Sequence, residues 1–503
     1  MKIASIVAVA ALLSPALAGF GKKKRVTQKA LIKDITLKDL LAGSQKLQDF
    51  ADANGGNRAF GGGGHNATVD WLYKTLKKYD YNVYKQPFVE LFSAATVNLS
   101  VSGTTYAAEY MTYGPSGHVS APVVPVSNIG CDAADYPAEL SGKVALIKRG
   151  TCTFQIKATN AKAAGAVGAI IYNNIEGALA GTLGAVGAYA PTVGVTLAVG
   201  TSILEKAAAG AAVATLGVDS VEQNRTTWNI IAETKGGDHK NVLMLGGHTD
   251  SVFKGPGIND DGSGTIGVLA VAKALSKYTT KHAVRFAFWS AEEFGLLGSY
   301  HYLKTLNGTI SGAKDGSEVK KIRAYLNFDM IASPNYVLGI YDGDGNTFNL
   351  SGPTGSAKIE KDFELFYESR GKPHVPSLFS FRSDYAAFLQ NGIPSGGLFT
   401  GAEELKTAKE AELFGGTAGV ALDANYHQKG DDMSNLNHEA YLLNTQSIAN
   451  SVALYANSWE GIPAPNVTHR KRDAELHRYM ARFANAHQHS HAGHCGEAPH
   501  DEL

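Results

Sequence analysis

Three apolar, strand-like runs in this chain of 503 residues each lead to side chains that can bind a metal ion. Residues 242–245 are followed by His248, residues 284–289 by Glu292 and Glu293, and residues 324–328 by Asp329. Because strands of an α/β sheet end at a common crevice, these side chains can converge on one site. Histidine and carboxylate ligands together suit a divalent cation, with zinc the first choice. The pattern therefore predicts a metal-dependent hydrolase.

Further candidate ligands are the adjacent Asp260 and Asp261 and, far downstream, His427. A single histidine after a strand is more often a hydrogen-bonded structural residue than a ligand, and this alternative stays open for each one alone. Adjacent Glu292 and Glu293 at a buried strand end would be costly as unpaired charges. The combined pattern therefore favours a bound cation.

Strands and helices alternate around these candidate ligands. The three strand-like runs are separated by predicted helices at 265–277 and 296–303. This order predicts an α/β fold with a mostly parallel central sheet and helices on both faces. Upstream, residues 83–89 and 96–101 alternate as two further strands.

The candidate ligands lie in motifs that occur in one order along the chain: His248-x-Asp250, Asn259-Asp260-Asp261-Gly-Ser-Gly, Glu292-Glu293-Phe-Gly, Asn327-Phe328-Asp329-Met330 and Tyr426-His427. As a set they resemble the co-catalytic di-zinc aminopeptidases, in particular the branch of aminopeptidase Y and the fungal secreted leucine aminopeptidases. Residues 381–385 and 396–403 also match, and the resemblance extends over about residues 30–460.

The resemblance implies a role for each candidate ligand. Asp260 would bridge two zinc ions, with His248 and Asp329 completing one site and Glu293 and His427 the other. Each ion would then have three protein ligands and one exchangeable position, as catalysis requires.

The resemblance also implies how peptides with a free N-terminus are cleaved. Glu292 would be the general base that moves a proton from a zinc-bridging water to the leaving amine. Tyr426 would donate a hydrogen bond to the tetrahedral oxyanion. Arg382 would organise the pocket or contact substrate. Met330 and Phe399 would line an apolar pocket that favours Leu-like first residues, although an ordinary core role stays open for both.

Two acids are expected to support the histidine ligands. Asp250 lies two residues after His248, on the same side of an extended chain, and would fix its tautomer. Asp384 is a weaker candidate for the same role beside His427.

Two alternative functions are disfavoured. A carboxypeptidase or deacylase is disfavoured because no paired basic motif for a terminal carboxylate is evident. A non-enzymatic receptor ectodomain is disfavoured because the motifs are complete.

The composition changes near residue 112. The motifs at 142–154 and 165–174 resemble a protease-associated domain, which implies an insert over about residues 112–220 that carries no catalytic residues. Cys131 and Cys152 flank a compact Gly-rich segment and are the expected disulfide in an oxidising compartment. Cys495 would be the odd cysteine, and two free buried thiols remain the alternative.

The expected domain plan includes segments at both ends of the chain. Residues 1–18 have the charged start, apolar centre and small-residue cleavage site of a secretory signal. The basic run at 22–25 is either a processing site or a solvated stretch. The plan is a signal peptide at 1–18, a candidate pro-segment at 19–38, a peptidase domain at 39–111 and 221–460, the insert at 112–220, and a disordered His-rich tail at 461–503.

The protein is expected to be secreted and to be a monomer. Lys and Arg (46) balance Asp and Glu (46), so no basic field favours nucleic acid, and no mature segment is apolar enough to span a membrane. The terminal His500-Asp-Glu-Leu503 is an endoplasmic-reticulum retention signal, but it follows a dibasic pair, Lys471-Arg472, where a protease could remove it. The vacuole is a second destination, and the reticulum a third if the tail is kept. Six glycosylation sequons agree with the secretory route: Asn66, Asn98, Asn224, Asn307, Asn349 and Asn466.

Overall fold

A computed structural model of the chain describes residues 23–464 apart from 176, 211 and 309–317. The predicted signal peptide, Asn466, Cys495 and nearly all of the predicted tail lie outside these residues. Among the described residues, no helix combines the length and the apolar character needed to cross a membrane.

The described residues form eleven α-helices: α1 (Gln28–Lys33), α2 (Leu37–Asp52), α3 (Gly63–Leu76), α4 (Phe154–Ala163), α5 (Leu197–Ala208), α6 (Gly262–Leu275), α7 (Leu297–Leu306), α8 (Ser356–Glu368), α9 (Tyr385–Gln390), α10 (Ala408–Phe414) and α11 (His438–Tyr455). Several begin at a threonine whose hydroxyl accepts a backbone N–H of the first turn, such as Thr36 before α2 and Thr153 before α4. These caps satisfy amide groups that have no partner within the helix.

The same residues form fifteen strands: β1 (Tyr81–Val101), β2 (Thr104–Tyr106), β3 (Glu109–Thr112), β4 (Gly117–Pro125), β5 (Val144–Lys148), β6 (Gly168–Tyr172), β7 (Gly181–Thr182), β8 (Thr192–Val195), β9 (Val213–Thr234), β10 (Asp238–His248), β11 (His282–Trp289), β12 (Ile322–Phe328), β13 (Gly339–Tyr341), β14 (Val375–Ser377) and β15 (Ser395–Phe399).

Four parallel strands form the centre of the peptidase sheet, in the order β15-β12-β10-β11. The three strands that the sequence predicts to carry ligands, β10, β11 and β12, are therefore neighbours, with β10 in the middle. Their carboxyl ends meet at one edge of the sheet, as expected for an α/β fold.

Helices cover both faces of this sheet. Leu245 of β10 belongs to a core that also contains Ile266 of α6 and Ile448 of α11. The preceding residue, Met244, belongs to the opposite core with residues of α7 and α9, such as Phe388. Successive side chains of a strand point to opposite faces, so β10 is buried on both sides. The predicted fold class is confirmed.

A long two-stranded ribbon joins the peptidase sheet to the insert. β1 pairs with β9 without interruption, from Tyr81 opposite Thr234 to Val101 opposite Ala214. Both predicted segments, 83–89 and 96–101, are therefore extended, but they belong to one continuous strand. Phe92 and Ser93, in the middle of β1, are both buried, which breaks the simple alternation that the prediction used.

The strands of the insert continue the same sheet, because β4 pairs with β9, but the insert has cores of its own. β4, β5, β6 and β8 pair in parallel, and α4 and α5 cover them. β3 pairs with β8, so the sheet of the insert begins before residue 112. The predicted disulfide joins Cys131 to Cys152. The domain boundaries themselves remain a prediction.

Residues 24–38 contribute to the peptidase core. Val26, Leu31 and Ile35 are buried in the cluster that packs on α6 and α11, and Val26 N donates to Thr279 O at 2.9 Å. Cleavage at residue 38 would remove these side chains from the core. We therefore propose that any pro-segment ends before Lys24.

The sequons differ in accessibility. The asparagines at 66, 98, 224 and 349 are exposed, whereas Asn307 is half-buried. Attachment of glycans at these positions remains a prediction.

Candidate metal centre

The first half of the site surrounds His248 at the end of β10. Its Nε2 atom lies 3.2 Å from Asp260 Oδ1 and 3.5 Å from Asp329 Oδ1. Glu292 Oε2 is 3.8 Å from the same nitrogen. All of these side chains are buried.

The second half surrounds His427. Its Nε2 atom lies 3.1 Å from Asp260 Oδ2 and 2.9 Å from Glu293 Oε2. Asp260 therefore turns one oxygen to each histidine. The potential ligand atoms form two groups, and within each group all atoms lie within 4.8 Å of one another. One group contains His248, Asp260 and Asp329, and the other contains Asp260, Glu293 and His427. These are the two sets of ligands that the family resemblance implies.

The electrostatics of the cluster favour a bound positive charge. Burial raises the pKa of Glu292 well above its ordinary value, and the nearby charge of Asp329 raises it further. Burial alone would lower the pKa of His427, but Glu293 and Asp260 raise it to about 10. Carboxylates brought together away from water need a cation between them.

The donor set and its unused atoms fit zinc. Two imidazoles and three carboxylates are ligands that zinc accepts. Glu293 Oε1 is buried and has no hydrogen-bond partner among the described residues. A buried carboxylate oxygen of this kind is costly unless a cation binds it. His427 Nε2 and Glu293 Oε2 lie 2.9 Å apart, which is close enough for both atoms to bind one ion.

The turn after β11 explains how two adjacent glutamates reach the same site. Side chains of neighbouring residues in a strand point to opposite sides, but Ala291 has a φ of 59°, in the left-handed region. The carboxylate of Asp250 accepts the backbone N–H groups of Glu292 at 3.2 Å and Glu293 at 3.3 Å. A strained residue and a buried carboxylate therefore hold this turn.

Other residues of the site also have left-handed backbone conformations. Met330, Phe381 and His427 have φ values of 57°, 61° and 57°. Non-glycine residues rarely adopt this conformation, and when they do they often lie at functional sites.

Asp250 and Asp384 were predicted to support the two histidines, and the structure gives each of them different surroundings. Asp250 Oδ1 lies 3.7 Å from His248 Nδ1, which is too long for a hydrogen bond, so its main observed contacts are with the turn after β11. Burial raises the pKa of Asp384 to about 7, and the charge of His248 opposes that rise. Its support of His427 stays a prediction.

The three predicted substrate-binding residues have different surroundings. Arg382 forms two hydrogen bonds with Glu403 and one with the Tyr426 hydroxyl. Met330 is buried, and Phe399, at the end of β15, is half-buried beside the second core. Their role in a first-residue pocket remains a prediction.

Several residues position the candidate ligands in roles that the sequence did not predict, and one of them is Asp261, which was expected as a ligand but belongs to neither ligand group. Asp261 accepts the backbone N–H groups of His248, Gly264 and Met330, and so links three segments of the site. Its position before a predicted helix was a detectable signal, because aspartate commonly caps helices. Asp431 accepts the N–H of Asp260 at 3.0 Å. No local pattern marks that contact.

Arg58 is a further missed residue. It is fully buried, and its guanidinium donates to three carbonyl oxygens of the segment that follows β10: Thr249, Pro256 and Gly257. These bonds stabilise the irregular backbone between His248 and Asp260. The bonded carbonyls are about 190–200 residues away in sequence, so the pairing is not predictable locally.

A second acidic cluster has a structural explanation. Asp342, Asp344 and Glu360 lie close together. Asp342 accepts the N–H groups of Gly345, Thr347 and Phe348. These bonds shape the loop after β13.

Sequence comparison decides the family. The model of peptidase family M28 matches residues 229–452, and the model of the PA domain matches residues 119–203. Over 475 residues the chain is 56% identical to the probable leucine aminopeptidase 2 of Aspergillus fumigatus. The match covers 93% of this chain and 93% of that protein. The chain belongs to peptidase family M28.

A second relative of this M28 peptidase is also a leucine aminopeptidase. The chain is 50% identical over 459 residues to leucine aminopeptidase 2 of Trichophyton rubrum, covering 90% of this chain and 91% of that protein. The resemblance predicted from the motifs is confirmed. The enzyme is an aminopeptidase, and it carries a protease-associated domain.

Solved structures share the fold. An aminopeptidase from Aneurinibacillus sp. strain AM-1 matches with a TM-score of 0.64 at 28% identity, covering 88% of this chain and 98% of that one. A zinc aminopeptidase from Bacillus subtilis matches with a TM-score of 0.65 at 25% identity, covering 86% of this chain and 98% of that one.

Proposed function

We propose that this aminopeptidase uses two zinc ions to remove N-terminal, preferably Leu-like, residues from peptides. The supporting observation is the position of Asp260, whose two oxygens face His248 at 3.2 Å and His427 at 3.1 Å. A carboxylate between two groups of ligands is the arrangement that a pair of ions needs. The solved relative from Bacillus subtilis is described as a zinc aminopeptidase, which supports the choice of metal.

His248, Asp260 and Asp329 would hold one ion, and Asp260, Glu293 and His427 the other. When bound, zinc would polarise the scissile carbonyl and lower the pKa of water. Glu292 would accept a proton from the attacking water and donate it to the leaving amine. Burial already raises the pKa of Glu292, which suits a group that must both take and release a proton.

The substrate would be bound at both ends of its first residue. Glu292 and Asp329 are the expected partners of the free α-amine, because a carboxylate that zinc does not neutralise can bind an ammonium group. The Tyr426 hydroxyl would donate to the oxyanion that forms on the scissile carbonyl. Met330 and Phe399 would contact an apolar first side chain, favouring it by about 1–3 kcal/mol over a small one.

We also propose that the enzyme acts outside the cell. Support comes from the predicted signal peptide, the exposed sequons and the disulfide in the insert, which is typical of oxidising compartments. Mass spectrometry of the enzyme recovered from culture medium tests this, since a secreted form should lack Leu503 and carry glycans. Protein that keeps its terminus and stays inside the cell would contradict it.

Release of a chromophore from leucyl-anilide, measured before and after chelation, tests the catalytic proposal. We expect about two zinc ions per chain, loss of activity with chelator and recovery with zinc. N-acetylated leucyl-anilide should not be cleaved, because its amine is blocked. Full activity in chelator, or cleavage of the acetylated substrate, would refute the proposal.

A further inference from the structure

A half-buried chain of three polar side chains, Glu403, Arg382 and Tyr426, leads from the rim of the site towards the metal centre. Arg382 Nη1 donates to Glu403 Oε1 at 2.6 Å, and Arg382 Nη2 donates to Glu403 Oε2 at 3.1 Å. Arg382 Nη2 also donates to the hydroxyl oxygen of Tyr426 at 3.1 Å. Arg382 and Glu403 each expose only 20% of their side chains. A two-point pair of this kind fixes the plane of the guanidinium.

The neighbouring contacts place this chain of residues against the metal centre. The ring of Tyr426 stacks on that of His427, with centroids 3.8 Å apart. The residue after Arg382, Ser383, donates to Asp329 Oδ2 at 2.6 Å. The turn at Phe381, with its left-handed φ of 61°, therefore directs Arg382 to Tyr426 and Ser383 to a candidate ligand.

The direction of the Arg382 hydrogen bond has a chemical consequence. Arginine has only donors, so the Tyr426 oxygen must be the acceptor. The phenolic proton then cannot point towards the guanidinium and is left to point elsewhere. A positive charge beside the oxygen also makes the O–H a stronger donor.

We propose that Glu403 is a positioning residue for catalysis: it holds Arg382, and Arg382 orients the Tyr426 hydroxyl for donation to the oxyanion. Arg382 then acts through Tyr426 and not by binding the substrate carboxylate or side chain. This inference rests on the proposed function, in which Tyr426 contacts the reacting carbonyl.

Glu404 is a matched control within the same segment. It carries the same charge as Glu403, but its Oε1 atom is 4.0 Å from Arg382 Nη1 and its side chain is 44% exposed. Its other oxygen accepts the backbone N–H of Ala402. Glu404→Gln should leave kcat within about twofold of the wild type.

A double-mutant cycle tests the inference. Tyr426→Phe should lower kcat on leucyl-anilide by about 10²–10³-fold, the usual effect of losing one oxyanion donor. In the enzyme that keeps Tyr426, Glu403→Gln should lower kcat about tenfold and change KM little. In the Tyr426→Phe background the same substitution should change kcat less than twofold, since coupled residues are not additive. Arg382→Lys keeps the positive charge but loses the planar guanidinium that makes two hydrogen bonds to Glu403. It should therefore behave as Glu403→Gln does.

Zinc content and thermal unfolding of each purified variant complete the experiment. We expect two zinc ions and a wild-type melting temperature in Glu403→Gln. An equal loss in both backgrounds would show that Glu403 is merely structural, and a rise in KM without a loss of kcat would show that Arg382 binds substrate. Either result overturns the inference. An inactive wild type, or a fully active Tyr426→Phe, would instead refute the proposed function itself.

Discussion

The peptidase sheet and the inserted protease-associated region both bury ionisable side chains, but they stabilise them differently. In the insert each has a polar partner of its own: Lys157 donates to Ile129 O, and Asp135 accepts from Asn128. In the peptidase region four carboxylates share a pocket with two histidines: Asp260, Glu292, Glu293, Asp329, His248 and His427.

The comparison shows that burial of a charge does not by itself indicate a functional site. A buried lysine or aspartate with one good hydrogen bond is compatible with a purely structural role. Several buried carboxylates that face one another, one of them with an oxygen that accepts no hydrogen bond from any described residue, instead favour a bound cation. The following predictions test this difference, from the largest expected effect to the smallest.

Asp260→Asn should have the largest effect, because it removes the charge shared by both ligand groups. Even residues that only support metal ligands are worth about 10–100-fold in affinity, so loss of this one should leave both ions weakly bound. Metal analysis and kcat/KM should show loss of zinc and of activity together. The control is Asp135→Asn in the insert, which removes a buried acid without affecting zinc. Retention of two tightly bound ions by Asp260→Asn would contradict the assignment.

Glu292→Gln and Glu293→Gln should separate two neighbouring acids by function. Glu292→Gln should keep both ions and lose about 10²–10⁴-fold in kcat, since it removes the proton acceptor. Glu293→Gln should lower zinc content together with activity. Metal analysis beside steady-state kinetics distinguishes the two variants. If Glu292→Gln loses zinc while Glu293→Gln keeps it, the two roles are reversed.

Removal of the disulfide should affect the insert without affecting chemistry. Cys131 and Cys152 are 21 residues apart, and a loop of about 20 residues is worth about 3 kcal/mol of unfolding free energy. The double change to serine should lower that free energy, measured by denaturant unfolding, and leave kcat within about twofold. Cys495→Ser is the control and should change neither. A large loss of kcat at full zinc content would show that the insert takes part in catalysis.

The smallest effect concerns the buried lysine of the insert. Burial lowers the pKa of Lys157 from 10.5 to about 8, with Asp135 opposing the shift. Between these values the unfolded chain binds more protons than the folded one, so stability should rise with pH across that window. Lys157→Met should remove this rise. The difference in melting temperature between wild type and variant should change by about 2 °C between pH 7.5 and pH 10. An unchanged difference would exclude a lowered pKa.

The sequence by itself was enough to predict the fold class and the three neighbouring strands that precede candidate ligands. These features follow local patterns: apolar runs fold as buried strands, and the residues after them lie at one edge of a parallel sheet. The disulfide was predictable for a similar reason, because Cys131 and Cys152 are close in the chain.

Only the tertiary structure decided how the ligands are held. Asp431 reaches the backbone of Asp260 across 171 residues, and Arg382 reaches Tyr426 across 44. The left-handed turn at Ala291 directs Glu292 and Glu293 into one pocket, although no glycine marks that turn. Such contacts depend on packing between distant segments, and strained conformations persist only where the surrounding structure enforces them. A local pattern can therefore identify the chemical groups of this site but not their geometry.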